Sequence, residues 1–202
     1  MNSVAKGRAG DQNQRSMARA GQTIEHPTLG VNIRFIKTHR ETDGIGWEAE
    51  YTIAPGKGRQ YTPHTHLRSD EWFRVIKGQC KYWLNGKIYK AYAGDEIYFP
   101  ANIPHIHPWN YCDIQLVLHN TILINNTEKK HPEEIRKLEE YYENWFSLAC
   151  CGKVRKDGMP KLLQSAVLLR TIRKHVVMAK LPVLLQDIIM PPLALAGRLK
   201  GY

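Results

Sequence analysis

No apolar run in the 202-residue chain reaches the roughly twenty residues that a bilayer-spanning helix needs. No charged-then-apolar leader opens the chain, so a reduced, cytoplasmic setting is expected. Cysteine is scarce. Cys80, Cys112, Cys150 and Cys151 make no spaced framework, and neighbours in sequence bridge poorly. Cys80 and Cys112 read as buried hydrophobes, and the Cys150-Cys151 pair lacks the Cys-x-x-Cys or cationic helix start of a redox site. Missing too are a Ser-His-Asp or Cys-His arrangement and a glycine-rich phosphate loop, which removes nucleophilic and nucleotide-dependent chemistry from the field.

Acidic residues are outnumbered, 19 against 29 Lys and Arg, for a net charge of +10. The excess sits at the ends. Residues 152–202 carry a net +8 and residues 1–20 a net +3, which leaves the middle near neutrality. The basic tail reads first as a solvated face. Neither end shows the short turn between amphipathic helices that a DNA-reading module requires, so no nucleic-acid partner is expected.

What is present divides the chain in three. Residues 1–22 have no periodicity and few large apolar groups, and read as a disordered basic arm. Residues 23–127 alternate short strand-like runs ("VNIRFIK", "WEAEYTIA", "KYWL", "KIYKAYA", "DIQLVLHNTILI") with turn signals. Asn85-Gly86 is a two-residue hairpin signal. About ten such strands in a hundred residues predict a β-sandwich or barrel. Residues 128–202 turn helical. Pro132 suits a first turn followed by Glu133 and Glu134, and Ile135, Leu138, Tyr142, Trp145, Phe146 and Ala149 form one apolar stripe. A second helix is expected from Met159 to about Lys180, and a third over Leu184–Leu199, broken by Pro191-Pro192.

Within the strands, "HTHLRSDEWFRVIKG" concentrates metal-ligating side chains. His64 and His66 share one face of a strand, with Cα atoms about 6.6–6.8 Å apart. Two imidazoles so placed can converge on one ion at about 2.0–2.1 Å. A turn at "LRSD" brings Glu71 to the adjoining strand on the face of Phe73 and Val75. A carboxylate there balances a divalent charge and stays ionised because of it. A further donor comes from "PHIH", either His105 or His107.

The spacing around these residues resembles the cupin family. Gly58, five residues, His64-Thr65-His66, four residues, Glu71, six residues and Gly78 match its first motif. Gly94, five residues, Pro100 and His105 resemble its second, with Asn102 where glycine is usual and Asn110 one place beyond the usual asparagine. Asparagine also tolerates a left-handed turn. Asp70 fits an alternative spacing, but Glu71 alone keeps the six-residue step to Gly78. The resemblance covers roughly residues 30–120.

It implies a mainly β fold: a single cupin-type antiparallel β-barrel, jelly-roll-like, with a C-terminal α-helical extension. It also implies one divalent ion held by His64, His66, Glu71 and His105, with a homodimer formed through strand edges. His107, two residues on from His105, reads equally as a pocket residue and as a solvated one. Phe73, Trp72, Tyr82, Trp83 and Tyr98 offer walls for an apolar or aromatic ligand, so Phe73, Tyr82, Tyr98 and His107 are the substrate-pocket candidates.

Chemistry is then expected to pass through the ion, Fe(II) before Zn, Mn or Ni, on a small apolar or aromatic molecule. Oxygenase activity is favoured narrowly over an isomerase or cyclase. Two alternatives stand beside it. One is a non-catalytic small-molecule-binding cupin with a structural ion. The other is a membrane-peripheral protein that uses the basic, apolar C-terminal helices.

Overall fold

A computed structural model describes residues 18–125 and 132–202. Most of the expected 1–22 arm, and the 127/128 boundary, lie outside the described residues. Ala18, at the arm's end, is fully buried.

Eleven strands form among the described residues: β1 (Thr23–His26), β2 (Val31–Lys37), β3 (Gly46–Ile53), β4 (His64–His66), β5 (Ser69–Lys77), β6 (Gln79–Leu84), β7 (Lys87–Tyr92), β8 (Glu96–Phe99), β9 (His105–Asn110), β10 (Leu116–Ile124) and β11 (Val176–Met178). They pair antiparallel into a six-stranded sheet, ordered β1-β2-β3-β10-β5-β8, and a five-stranded sheet, ordered β11-β4-β9-β6-β7. The sheets face each other without closing into one hydrogen-bonded cylinder, so the expected barrel is a two-sheet cupin-like sandwich. Asn85 and Gly86 turn β6 into β7 with φ of 44° and 92°, the signature of the twist-matched hairpin turn. Asn102 adopts φ 65°, so asparagine takes the left-handed position without glycine.

Strict alternation builds the interior. The inward residues include Trp47, Ala49, Tyr51 and Ile53 on β3, Ser69, Glu71, Phe73 and Val75 on β5, and Leu116, Leu118, Asn120, Ile122 and Ile124 on β10. Register places Glu71 beside Ile122 and Phe73 beside Asn120. Glu71 and Asn120 therefore sit among apolar neighbours.

Helix α1 (Pro132–Cys150) lays the expected stripe into this core. Tyr142 meets Trp47 at 5.1 Å between ring centroids, while Trp145 and Phe146 meet His26 at 5.3 and 5.1 Å. The second helix is shorter than expected. It is α2 (Leu162–Thr171), and the chain then turns into β11, whose residues pair with β4 as Val176↔His66 and Met178↔His64. The β-branched Val176-Val177 pair suits the strand edge that β4 offers, and tertiary pairing overrides a weak helical pattern. The third helix, α3 (Val183–Leu199), runs through Pro191 and Pro192 without a break. Pro192 is exposed and Pro191 half-buried, so neither sits in the core where the N–H that proline lacks would be costly.

His26 joins the sandwich to the extension. Its Nε2–H donates to the Gly158 carbonyl at 3.0 Å, and its Nδ1 accepts from the Leu29 N–H at 3.2 Å. Only the neutral ring can do both. Burial holds its pKa below the ordinary 6.5, so below that pH the unfolded chain binds a proton the folded chain refuses. Stability from this group is complete above about pH 6.5 and is lost as pH falls. Thermal melts should show Tm falling from about pH 7.5 to 5.5. His26→Gln should melt lower at pH 7.5 but with a shallower pH slope.

Candidate metal centre

His64, His66, Glu71, His105 and His107 converge from both sheets, each offering one donor atom, all within 4.8 Å of one another. Topology explains how. His64 lies directly across from His105 in the β4–β9 pairing, so the two motifs meet by register. Glu71 comes from the opposing sheet. Glu71 and His105 are fully buried, and His66 and His107 are 2% and 4% exposed.

Hydrogen bonds aim several of these groups. Asn120 Nδ2–H donates to Glu71 Oε1 at 2.8 Å, and Asn120 Oδ1 accepts from Trp47 Nε1–H at 2.8 Å. That chain fixes the carboxylate and leaves Oε2 facing the imidazoles. His105 Nδ1 lies 3.0 Å from the Ile103 carbonyl, and His66 Nδ1 lies 3.3 Å from Ser69 Oγ. A carbonyl accepts only, so Nδ1 of His105 carries the proton and Nε2 presents a lone pair inward. The Nε2 atoms of His107, His105 and His66 stand 3.0, 3.5 and 3.9 Å from Glu71 Oε2.

The electrostatics agree with the geometry. Burial drives His64 well below the ordinary imidazole value, helped by the neighbouring imidazoles, and pushes His66 down to about 3. Burial alone would raise Glu71, but the surrounding imidazoles outweigh it and hold the carboxyl well below its usual range. Near neutral pH His64 and His66 are thus neutral and Glu71 is ionised, the protonation state of ligands.

Donor atoms on opposite sides of an ion at about 2.1 Å lie about 4.2 Å apart, so a 4.8 Å cluster needs only small closure. Glu71 Oε2, His105 Nε2 and both ring nitrogens of His107 are buried and, apart from the approach of the two imidazoles to Oε2, have no polar partner. Such groups are costly unless something satisfies them. This His/Glu cluster is able to bind a metal ion.

All four expected ligand positions come together, and His107 joins them rather than facing solvent. Phe73 is fully buried, 5.2 Å from the His107 ring. Tyr82 is half-buried and packs on Phe99 at 5.7 Å, one ring removed from His105. Tyr98 is not in the interior. It is 45% exposed on the outer face, stacked on Trp72 at 5.2 Å. The register pairs Glu71 with Phe99 and Trp72 with Tyr98, so Phe99 is the inward aromatic. It stacks on His105 at 4.4 Å, nearly parallel at 7°. Asn120 was also readable: a lone polar residue at an inward position of "LVLHNTILI".

A family model described as a cupin domain matches residues 49–118. The matched stretch lies wholly within the sandwich, which is cupin-like in fold. Solved structures similar in fold include a predicted oxalate decarboxylase from Thermotoga maritima, at 20% identity and TM-score 0.43, over 46% of this chain and 80% of that one. The cupin domain of an XRE-family transcriptional regulator from Enterobacter cloacae matches at 21% and 0.42, over 48% and 99%. A sugar phosphate isomerase of the cupin superfamily from Silicibacter pomeroyi matches at 16% and 0.41, over 48% and 61%. A search of curated protein sequences finds no match.

Glu71→Gln should abolish stoichiometric binding of a divalent ion. Asn120→Ala, which frees Glu71 Oε1, should weaken it by about 10–100-fold. Titration calorimetry with metal content determined in parallel checks both, and equal affinity in all three proteins would contradict the assignment of Glu71.

Proposed function

We propose that this cupin is a metal-dependent enzyme acting on a small apolar or aromatic molecule, with oxygenase chemistry favoured over isomerisation or cyclisation. One observation carries the reading: four buried or half-buried imidazoles and one buried carboxylate that present their donor atoms to a common centre within 4.8 Å. His64, His66, Glu71 and His105 would hold the ion, with His107 beside them. A divalent ion there supplies Lewis acidity or, as Fe(II), oxygen activation.

The chain's own residues do the rest. Asn120 and Trp47 keep Glu71 fixed, so its charge is available without reorganisation. Phe73 and Phe99 back His107 and His105 with apolar surface that excludes water and suits an apolar reactant better than a charged one. The cupin domain hosts enzymes and regulators alike, so the site, not the fold, supports this reading.

The favoured metal is Fe(II), because several imidazoles with a single carboxylate make a donor set soft enough for it. Anaerobic loading should give about one Fe(II) per chain, lost in His64→Ala and Glu71→Ala. The loaded protein should then consume oxygen in the presence of a small aromatic substrate. Stoichiometric metal without oxygen uptake across an aromatic panel would favour the isomerase or cyclase reading. A stable ion with no turnover of any kind would leave a binding module.

A further inference from the structure

Helix α3 turns the wrong face outward for a helix that only covers a core. Its inward residues are Gln186, Ala194 and Gly197. Opposite them, Leu184 is 72% exposed, Ile188 62%, Leu195 60% and Leu199 81%. At 100° per residue these four fall within one narrow stripe, with Pro192 among them, and Leu185 and Ile189 flank it. No polar side chain interrupts the stripe. The helix is about 25 Å long at 1.5 Å per residue, so the exposed band exceeds the scattered apolar residues normal on a soluble surface.

The orientation is fixed rather than incidental. Gln186, 3% exposed, accepts from the Met178 N–H at 3.1 Å and donates to the Met178 and Leu181 carbonyls at 2.9 and 2.6 Å. A Cβ on Gly197 would meet the Leu163 carbonyl oxygen at 2.8 Å, so α3 can approach α2 so closely only through glycine. Arg173 clamps Asp187 through two bonds of 2.8 Å. Rolling α3 to hide the stripe would break all of these.

Charge chooses the occupant. Lys180, Arg198 and Lys200 are exposed at the two ends of the stripe, and Lys161, Arg170 and Lys174 are exposed in the segment around α2. The two acids of this segment are both engaged, Asp157 with Arg155 at 2.7 Å and Asp187 with Arg173. Residues 152–202 carry a net +8. Pairing this face with a second copy would bring two such segments together. An anionic surface with an apolar layer beneath it satisfies both the stripe and its cations. No helix among the described residues is long and apolar enough to cross a membrane.

We propose that α3 is a membrane-docking helix that lies in the plane of an anionic lipid bilayer, with Leu184, Ile188, Leu195 and Leu199 inserted at the headgroup–acyl boundary and Lys180, Arg198 and Lys200 on the lipid phosphates. The proposal is independent of the metal reading.

Flotation of the full chain with vesicles of phosphatidylglycerol and phosphatidylcholine tests it. The protein should float with these vesicles, at least tenfold less with pure phosphatidylcholine, and several-fold less when salt is raised from about 0.1 to 0.5 M. Ile188→Asp with Leu195→Asp should cut binding at least tenfold while thermal melting stays unchanged, since both side chains are exposed. Lys180→Glu with Lys200→Glu should remove most of the salt-dependent part. Failure to float with anionic vesicles, or undiminished binding by the aspartate variant, overturns the proposal. So does a dimer in sedimentation that the aspartate variant dissolves, because the stripe would then belong to a second copy.

Discussion

A carboxylate with no exposed surface is the constraint around which this sandwich is organised. Glu71 sits in a row of Phe73, Val75, Leu118 and Ile122, where an ionised group is costly unless it is compensated. Asn120 takes one oxygen and is itself held by Trp47, and both residues occupy inward positions on neighbouring strands. The other oxygen meets imidazoles delivered by the opposite sheet. Neither sheet holds the centre alone, so its geometry depends on how the two sheets pack, and through Trp47 on how α1 covers β3. Leaving a buried polar atom unsatisfied costs about 1–3 kcal/mol. The imidazoles meet part of that cost for Glu71 Oε2, and a bound cation would offset the rest.

Much of this was legible in the sequence because β-structure writes its two faces as alternate letters. His64 and His66 one residue apart, and Glu71 in phase with Phe73, are statements about facing that pairing preserves. Asn85-Gly86 specifies a turn with little help from elsewhere. The same rule, applied across the β5–β8 pair, separates Phe99 from Tyr98. Both are large aromatics next to each other in sequence, but only the register that opposes Glu71 to Phe99 decides which one points inward. Composition offers no guide there. His107 was ambiguous for a related reason, since sharing a face with His105 does not say how far into the interior that face reaches at its end.

The tail was the least legible part, and the reason is physical. Met159–Lys180 has apolar residues all round a helical wheel, a pattern that local periodicity cannot resolve. What settles Val176–Met178 is an unpaired edge of β4 more than a hundred residues earlier, and β4 is only three residues long. A strand so short gains much from a second partner, because β9 meets it at His64↔His105. The segment bearing two of the imidazoles is therefore flanked on one side by the second motif and on the other by the extension.

That arrangement changes what the helical extension is. The family match ends at residue 118, yet the interior does not. Tyr142, Trp145 and Phe146 fill space against Trp47 and His26, and Ile172 and Val176 belong to the same buried cluster. Cutting the chain after the last sandwich strand would expose this apolar surface and strip β4 of a neighbour, so the sandwich and its extension form one cooperative core. Only α3 stands apart from it. The helix spends its small inward residues on a close approach to α2 and keeps its large apolar ones for the outside. In a segment whose other parts all serve the core, that inversion is the feature folding alone does not require.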